Sequence, residues 1–268
     1  MTLQASGAIS LGDVATEFGD TSPTSISEFY GVDELPTSGQ ISMSEFYGQS
    51  NAVEVISWDN QYTSNTGLTT DFTFTAPSNA KAVIIIACKN TNDYENVNIN
   101  SASSTLTDTL TRESYYAIDT EYGSASAIFA GNLTGTGSMT VTISYAQAVG
   151  GGNYGKTCTA IFLNKEFSVT TPDATVNTGD YSSPHVVNIA GYEGGLVVSG
   201  LVGAGGVAWT SGFTEQQSIT PYEPDYALAY TLTNTTETLT LSATPVNSFG
   251  YRGLSTTASW AADKFVWN

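Results

Sequence analysis

Carboxylates are the most abundant chemistry-bearing groups of this chain, with 25 acidic residues against 7 basic ones. Glycoside hydrolysis runs on two carboxylates flanking the scissile bond, so close pairs come first. Asp119 and Glu121 alternate and would project from one face of a strand. Glu223 and Asp225 flank Pro224, beside Tyr222 and Tyr226. Either pair could do acid–base chemistry or hold calcium, yet in so acidic a chain such pairs arise by chance and solvation is the expectation. Asn90-Thr91-Asn92-Asp93-Tyr94-Glu95 sets oxygen ligands at alternate positions but lacks the turn glycine of an EF-hand loop. His185 is the single histidine; it has no G-x-S-x-G elbow to serve and no CxxC cysteines to share a zinc ion with. No enzyme, no metal and no cofactor are therefore expected.

Gly150-Gly151-Gly152-Asn153-Tyr154-Gly155-Lys156-Thr157 satisfies the phosphate-loop pattern G-x-x-x-x-G-K-[ST] to the letter. That chemistry needs a helix directly after it, with N-terminal amides facing the phosphates. Cys158-Thr159-Ala160-Ile161-Phe162-Leu163 reads as a strand instead, so the glycines are a hairpin loop. Cys88 and Cys158 sit in apolar, β-branched runs and read as small buried hydrophobes, with a disulfide between them left open. Trp209, Tyr222 and Tyr226 fall in turn-rich stretches, where aromatic rings could form a sugar-stacking platform, although burial is the commoner fate.

The elements that must position these groups follow from composition and period. Charged residues make up only 12% of the 268-residue chain, against a usual share of roughly 25%, while 40% are hydrophobic and 11% aromatic. Such a chain folds, and its net charge of −18 excludes phosphate-backbone binding, which needs clustered Lys and Arg. The longest apolar run, Ala82 to Cys88, is too short to span a bilayer. No basic segment precedes an apolar one at the start, so no signal peptide and no membrane insertion are expected.

From Met1 to Ala80 there are ten acids and no base, which marks the N-terminal part as a separate unit. Ser25-Ile26-Ser27-Glu28-Phe29-Tyr30-Gly31 recurs as Ser42-Met43-Ser44-Glu45-Phe46-Tyr47-Gly48, and Gly7-Ala8-Ile9-Ser10 is echoed by Gly39-Gln40-Ile41-Ser42. Ser10, Ser25 and Ser42 each precede an acid by three residues, which is capping-box spacing. The pattern predicts a helix from Leu11 to Phe18, with Asp13 making the weakest of the three caps, and two single turns ending at Gly31 and Gly48. Single turns do not stand alone in water. Leu11, Val14, Phe18, Phe29, Tyr30, Phe46 and Tyr47 are too few for an adequate core, so residues 1–50 read as a docking module that uses these side chains on a partner.

From Val53 the period becomes two, as in Asp71-Phe72-Thr73-Phe74-Thr75 and Met139-Thr140-Val141-Thr142-Ile143-Ser144, with glycine-rich turns between. Ala82–Cys88 and Leu196–Val198 are continuous apolar runs, as in strands covered on both faces. The fold class expected is mainly β: a jelly-roll-like β-sandwich over residues 51–268, one sandwich before two, preceded by a small N-terminal module with short capped helices.

Ser6-Gly7-Ala8-Ile9-Ser10-Leu11-Gly12-Asp13-Val14-Ala15-Thr16-Glu17-Phe18-Gly19 and the Ser-Glu-Phe-Tyr-Gly copies resemble a short N-terminal module of tailed-bacteriophage structural proteins, over about the first 48 residues. Ala127-Ile128-Phe129 through Asn132-Leu133, then Thr140-Val141-Thr142-Ile143, is similar in pattern to β-sandwich domains of phage surface proteins. The resemblance implies a virion protein, assembled in the bacterial cytoplasm, whose partners are other capsid or tail proteins and copies of itself, with a trimer as the family-level expectation. Display as a head decoration, head fibre or tail fibre would follow, and a host surface glycan is the partner that the aromatic residues would take.

Overall fold

The computed structural model describes residues 3–4, 6–18, 25–30, 35, 38–46, 53–64, 67–90, 98–118, 124–146 and 155–167, together with the strands after them. Among the described residues the chain is mainly β, in antiparallel sheets, and it divides into two compact units, Met1–Val53 and Glu54–Asn268.

In the first unit, α1 (Leu11–Phe18) is followed by 3₁₀ turns at Ile26–Phe29 and Met43–Phe46. The repeats explain why three such short pieces stay folded. Ser10 N–H donates to the Asp13 carboxylate at 2.8 Å, and Asp13 N–H donates to Ser10 Oγ at 3.1 Å. Ser25 N–H donates to Glu28 Oε2 at 2.9 Å, and Ser42 N–H donates to Glu45 Oε2. Hydrogen bonds from Ser10 hold the Asp13 carboxyl below its ordinary range, so the cap with the shorter acid is fully formed. Gly7 and Gly39, equivalent in the repeat, both turn the chain at positive φ (107° and 102°), which brings Ile9 and Ile41 to the inside ahead of each capping serine.

The second unit holds sixteen strands among the described residues: β1 (Val55–Thr63), β2 (Thr69–Ala76), β3 (Ala82–Asn90), β4 (Ile99–Ser104), β5 (Thr111–Ile118), β6 (Ser124–Asn132), β7 (Gly137–Tyr145), β8 (Lys156–Leu163), β9 (Ala174–Asp180), β10 (His185–Ala190), β11 (Gly195–Gly203), β12 (Val207–Ser211), β13 (Glu215–Ile219), β14 (Asp225–Thr233), β15 (Thr238–Pro245) and β16 (Ala258–Phe265). Four sheets result: β1-β8-β3-β6-β5 with β2-β7-β4, and β9-β16-β11-β14-β13 with β10-β15-β12. Counted from β9, the second set repeats the order of the first strand for strand. The registers agree as well: Ala82 opposes Asn132 as Gly195 opposes Thr233. Residues 51–268, expected as one sandwich before two, thus hold two sets of eight strands, two halves in tandem within one compact unit.

Burial follows the layers. Along β2 buried and exposed residues alternate, because its sheet has one face on the core and one in water. Phe72 and Phe74 of β2 and Val141 and Ile143 of β7 meet Val83, Ile85 and Phe129 of the larger sheet. Every residue from Ala82 to Lys89 is buried, as is all of β8, since the other face of that sheet is covered too. There β3, β5 and β6 lie against β9, β11 and β16 of the second half. The long apolar run of β3 is thus the mark of a strand with no solvent side.

Candidate functional site

Leu3, Val14, Phe29, Leu35, Ile41 and Phe46 form a buried core within the first unit. Phe18 packs on Phe29 with ring centroids 5.7 Å apart, and Phe29 meets Phe46 edge-on at 5.6 Å. Each copy of the capped motif thus delivers one phenylalanine to a common centre. This corrects the expectation that these side chains lack a core of their own: Val14, Phe29 and Phe46 are spent inside the module and offer nothing to a partner. Leu11 and Phe18 are half-buried at the margin of the cluster. Tyr30 is the one exposed large hydrophobic side chain of the module among the described residues, 38% accessible, and its hydroxyl donates to the Gly39 carbonyl. Tyr47 lies outside the described residues. Residues 1–53 carry seven acids and no Lys, Arg or His.

A second constellation closes one end of the first half. Lys89 of β3 and Lys156 of β8 face each other in register, both fully buried. The Lys156 ammonium lies 4.3 Å and that of Lys89 5.7 Å from the centre of the Tyr145 ring. Lys156 Nζ also donates to the Gly67 carbonyl and, at 3.0 Å, to Thr70 Oγ1. Burial, with the Lys89 charge adding to it, pulls the Lys156 amine down to about 8. The second half has Val202 and Ser259 at the corresponding register positions. The fold therefore does not itself require two lysines there.

Lys156 is also the lysine of the phosphate-loop pattern, and it opens β8, a strand where a phosphate loop would run into a helix. Gly155 answers to packing: a Cβ there would sit 2.3 Å from Tyr62 Cε2. Residues Gly150 to Tyr154 lie outside the described ones. Cys88 and Cys158 are both free. Cys158 shares the inner core with Ala160, whereas its neighbour in register on β3 is Ala87, so Cys88 points to the opposite face of the sheet. Burial pushes the Cys88 thiol up to about 12 and that of Cys158 well above its ordinary value. These are packing thiols, not nucleophiles.

The remaining sequence candidates fall apart in space or outside the described residues. Trp209 lies in β12 and Tyr226 in β14, strands of different sheets, which corrects their placement in loops. Tyr222 and Glu223 are outside the described residues, as are Asp119, Glu121 and the Thr91–Glu95 stretch; Asp225 opens β14. His185 begins β10.

Sequence reasoning passed over a row on β1. Trp58, Asn60 and Tyr62 occupy alternate positions and oppose Ile161, Thr159 and Thr157, so all three lie on the face away from the inner core. Each is half-buried. The signal was present as a period-two alternation of aromatic, amide and aromatic, read only as strand pattern. No family model, curated protein or solved structure matches the chain.

Proposed function

We propose that this chain is a non-enzymatic structural component of a tailed-bacteriophage particle, held on the virion by its N-terminal module and displaying the β-rich unit as a head decoration, head fibre or tail appendage. The reading is carried by the Met1–Val53 unit. It closes a core of its own around α1 and the two 3₁₀ turns, and its acids stand without a single basic residue. A folded anchor with one sign of charge suits a fixed seat of the opposite sign. Val14, Phe29 and Phe46 hold that shape, and Tyr30 with the margins of Leu11 and Phe18 makes the contact.

The second unit supports the same reading through its strand order. A jelly roll sets β1-β8-β3-β6 over β2-β7-β4-β5, the architecture of many capsid and lectin domains. Both halves of this unit have that order with one change: the fifth strand leaves the smaller sheet and pairs with the sixth. In the first half Arg112 of β5 donates to the Ile99 carbonyl of β4 at 2.8 Å, a side-chain link where the jelly roll has a ladder. We read the displayed part as two jelly-roll variants in tandem. Other virion proteins and copies of this chain are its partners.

The test replaces the gene with one lacking residues 1–53 and with Tyr30→Ala, and measures copies per purified particle by mass spectrometry. The truncated chain should be soluble and missing from particles, and Tyr30→Ala should be depleted while still folded. Normal incorporation of the truncated chain overturns the proposal.

A further inference from the structure

We infer that Lys156 is a carbamylation site: its Nζ takes up one molecule of carbon dioxide, and the carbamate pairs with Lys89 at the end of the first half. Lys89 and Lys156 stand opposite each other in register on β3 and β8, and both are fully buried. Both ammonium groups face one ring, that of Tyr145 at the end of β7, 5.7 and 4.3 Å from its centre. Two like charges so placed repel each other in a medium that screens them poorly. The fold does not impose them, since the corresponding register positions of the second half hold Val202 and Ser259.

One covalent step removes the conflict. The lone pair of the neutral Lys156 amine attacks the carbon of carbon dioxide and an N–C bond forms. One C=O electron pair moves onto oxygen, and one N–H proton leaves to solvent. No oxidant or reductant is involved. Two facing cations become a cation facing an anion, and charge-assisted hydrogen bonds are the strong ones. The neighbours suit the product as well as the amine. Lys156 Nζ donates to the Gly67 carbonyl and, at 3.0 Å, to Thr70 Oγ1. A carbamate keeps one N–H for Gly67, and the Thr70 hydroxyl, which can donate as well as accept, turns its proton to the new carboxylate.

Burial selects the electrophile. A fully buried amine is closed to aldehydes and acyl donors of any bulk, whereas carbon dioxide is small, uncharged and apolar. The amine is also in the form that reacts. Burial and the Lys89 charge hold it at about 8, so at about that pH half of it carries a free lone pair, where a lysine at 10.5 is almost wholly protonated.

The experiment equilibrates the full chain at a pH of about 8 with isotope-labelled bicarbonate in a closed cell and follows the carbamate carbon by NMR. The chain should give a carbamate signal that Lys156→Arg lacks, because a guanidinium stays protonated and does not react. An α-amino group, which titrates at about 8, also forms a carbamate; that signal persists in Lys156→Arg and serves as the baseline. Lys89→Arg, which keeps the positive charge, should retain the Lys156 signal, and Lys89→Met should reduce it about tenfold or more with an unchanged circular dichroism spectrum. The carbamate forms far more readily on the folded chain, so bicarbonate should raise the urea midpoint of the unaltered chain relative to the same concentration of chloride, and should not do so for Lys156→Arg. A carbamate spectrum identical in the unaltered chain and Lys156→Arg, or a urea midpoint indifferent to bicarbonate, overturns the inference.

Discussion

Lys156 shows at the scale of one residue how a buried charge makes stability depend on pH. Its amine is held at about 8 in the folded chain, against 10.5 when exposed, because burial and the neighbouring Lys89 disfavour the charged form. Between those values the unfolded chain binds a proton that the folded chain does not, so stability from this group rises with pH. Below about 8 both states are protonated and the full penalty stands. Urea unfolding of the chain and of Lys156→Met should therefore differ by an amount that changes between pH 8 and 10.5, with the lysine form gaining on the methionine form. A constant difference across that window would mean that the amine is not depressed. The methionine also removes the bonds to Gly67 and Thr70, but that loss does not vary with pH in the same way.

At the scale of elements, the edges of the sheets need protection, since an unpaired edge invites another strand. β2 is an edge strand of its sheet, and Gln61 of β1 reaches across to it: Thr73 N–H donates to Gln61 Oε1 at 3.1 Å and Gln61 Nε2 donates to the Thr73 carbonyl. One carboxamide thus acts as a single residue of a neighbouring strand. Asn132 does the same for Phe167, donating to its carbonyl at 3.0 Å and accepting from its N–H at 2.7 Å. Gln61→Ala should cost about 1–2 kcal/mol, and hydrogen exchange should speed at the Thr73 amide before its neighbours in β2. Unchanged exchange at Thr73 would show that the clamp does not hold in solution. Such clamps also mark the limit of sequence reading. The capped turns were legible because serine and acid lie three residues apart, and β2 and β3 because period and apolar run report which faces are covered. The Gln61–Thr73 pair spans two sheets and leaves no local pattern. Phe29 and Phe46 were seen as apolar, but their use on each other, not on a partner, depends on how three distant turns converge. The β1 row was visible as residues, yet which face it takes is set only by its register with β8.

At the scale of the whole second unit, the repeat of strand order raises the question of whether the halves are two folding units or one. Each half has its own pair of sheets, so each could in principle bury a core alone. In the first half, however, the far face of the large sheet is also apolar: Ile84, Ile86, Ile128 and Ile161 are fully buried and lie outside the inner core. With β3, β5 and β6 of that sheet set against β9, β11 and β16, separating the halves would bring Ile84, Ile86 and Ile128, which lie on β3 and β6, to water. Exposing one such side chain costs about 1.5–3 kcal/mol, so three of them make an isolated half unfavourable by an amount comparable to the whole stability of an ordinary domain. The halves should accordingly unfold together. Ile86→Ala in the full chain should cost about 2–5 kcal/mol and move the entire urea transition of strands β1–β16 to lower concentration, as followed by hydrogen exchange in both halves. A variant in which β9–β16 kept its protection while β1–β8 lost it would show two independent sandwiches, and the covered face of the first would then be packing without cooperativity.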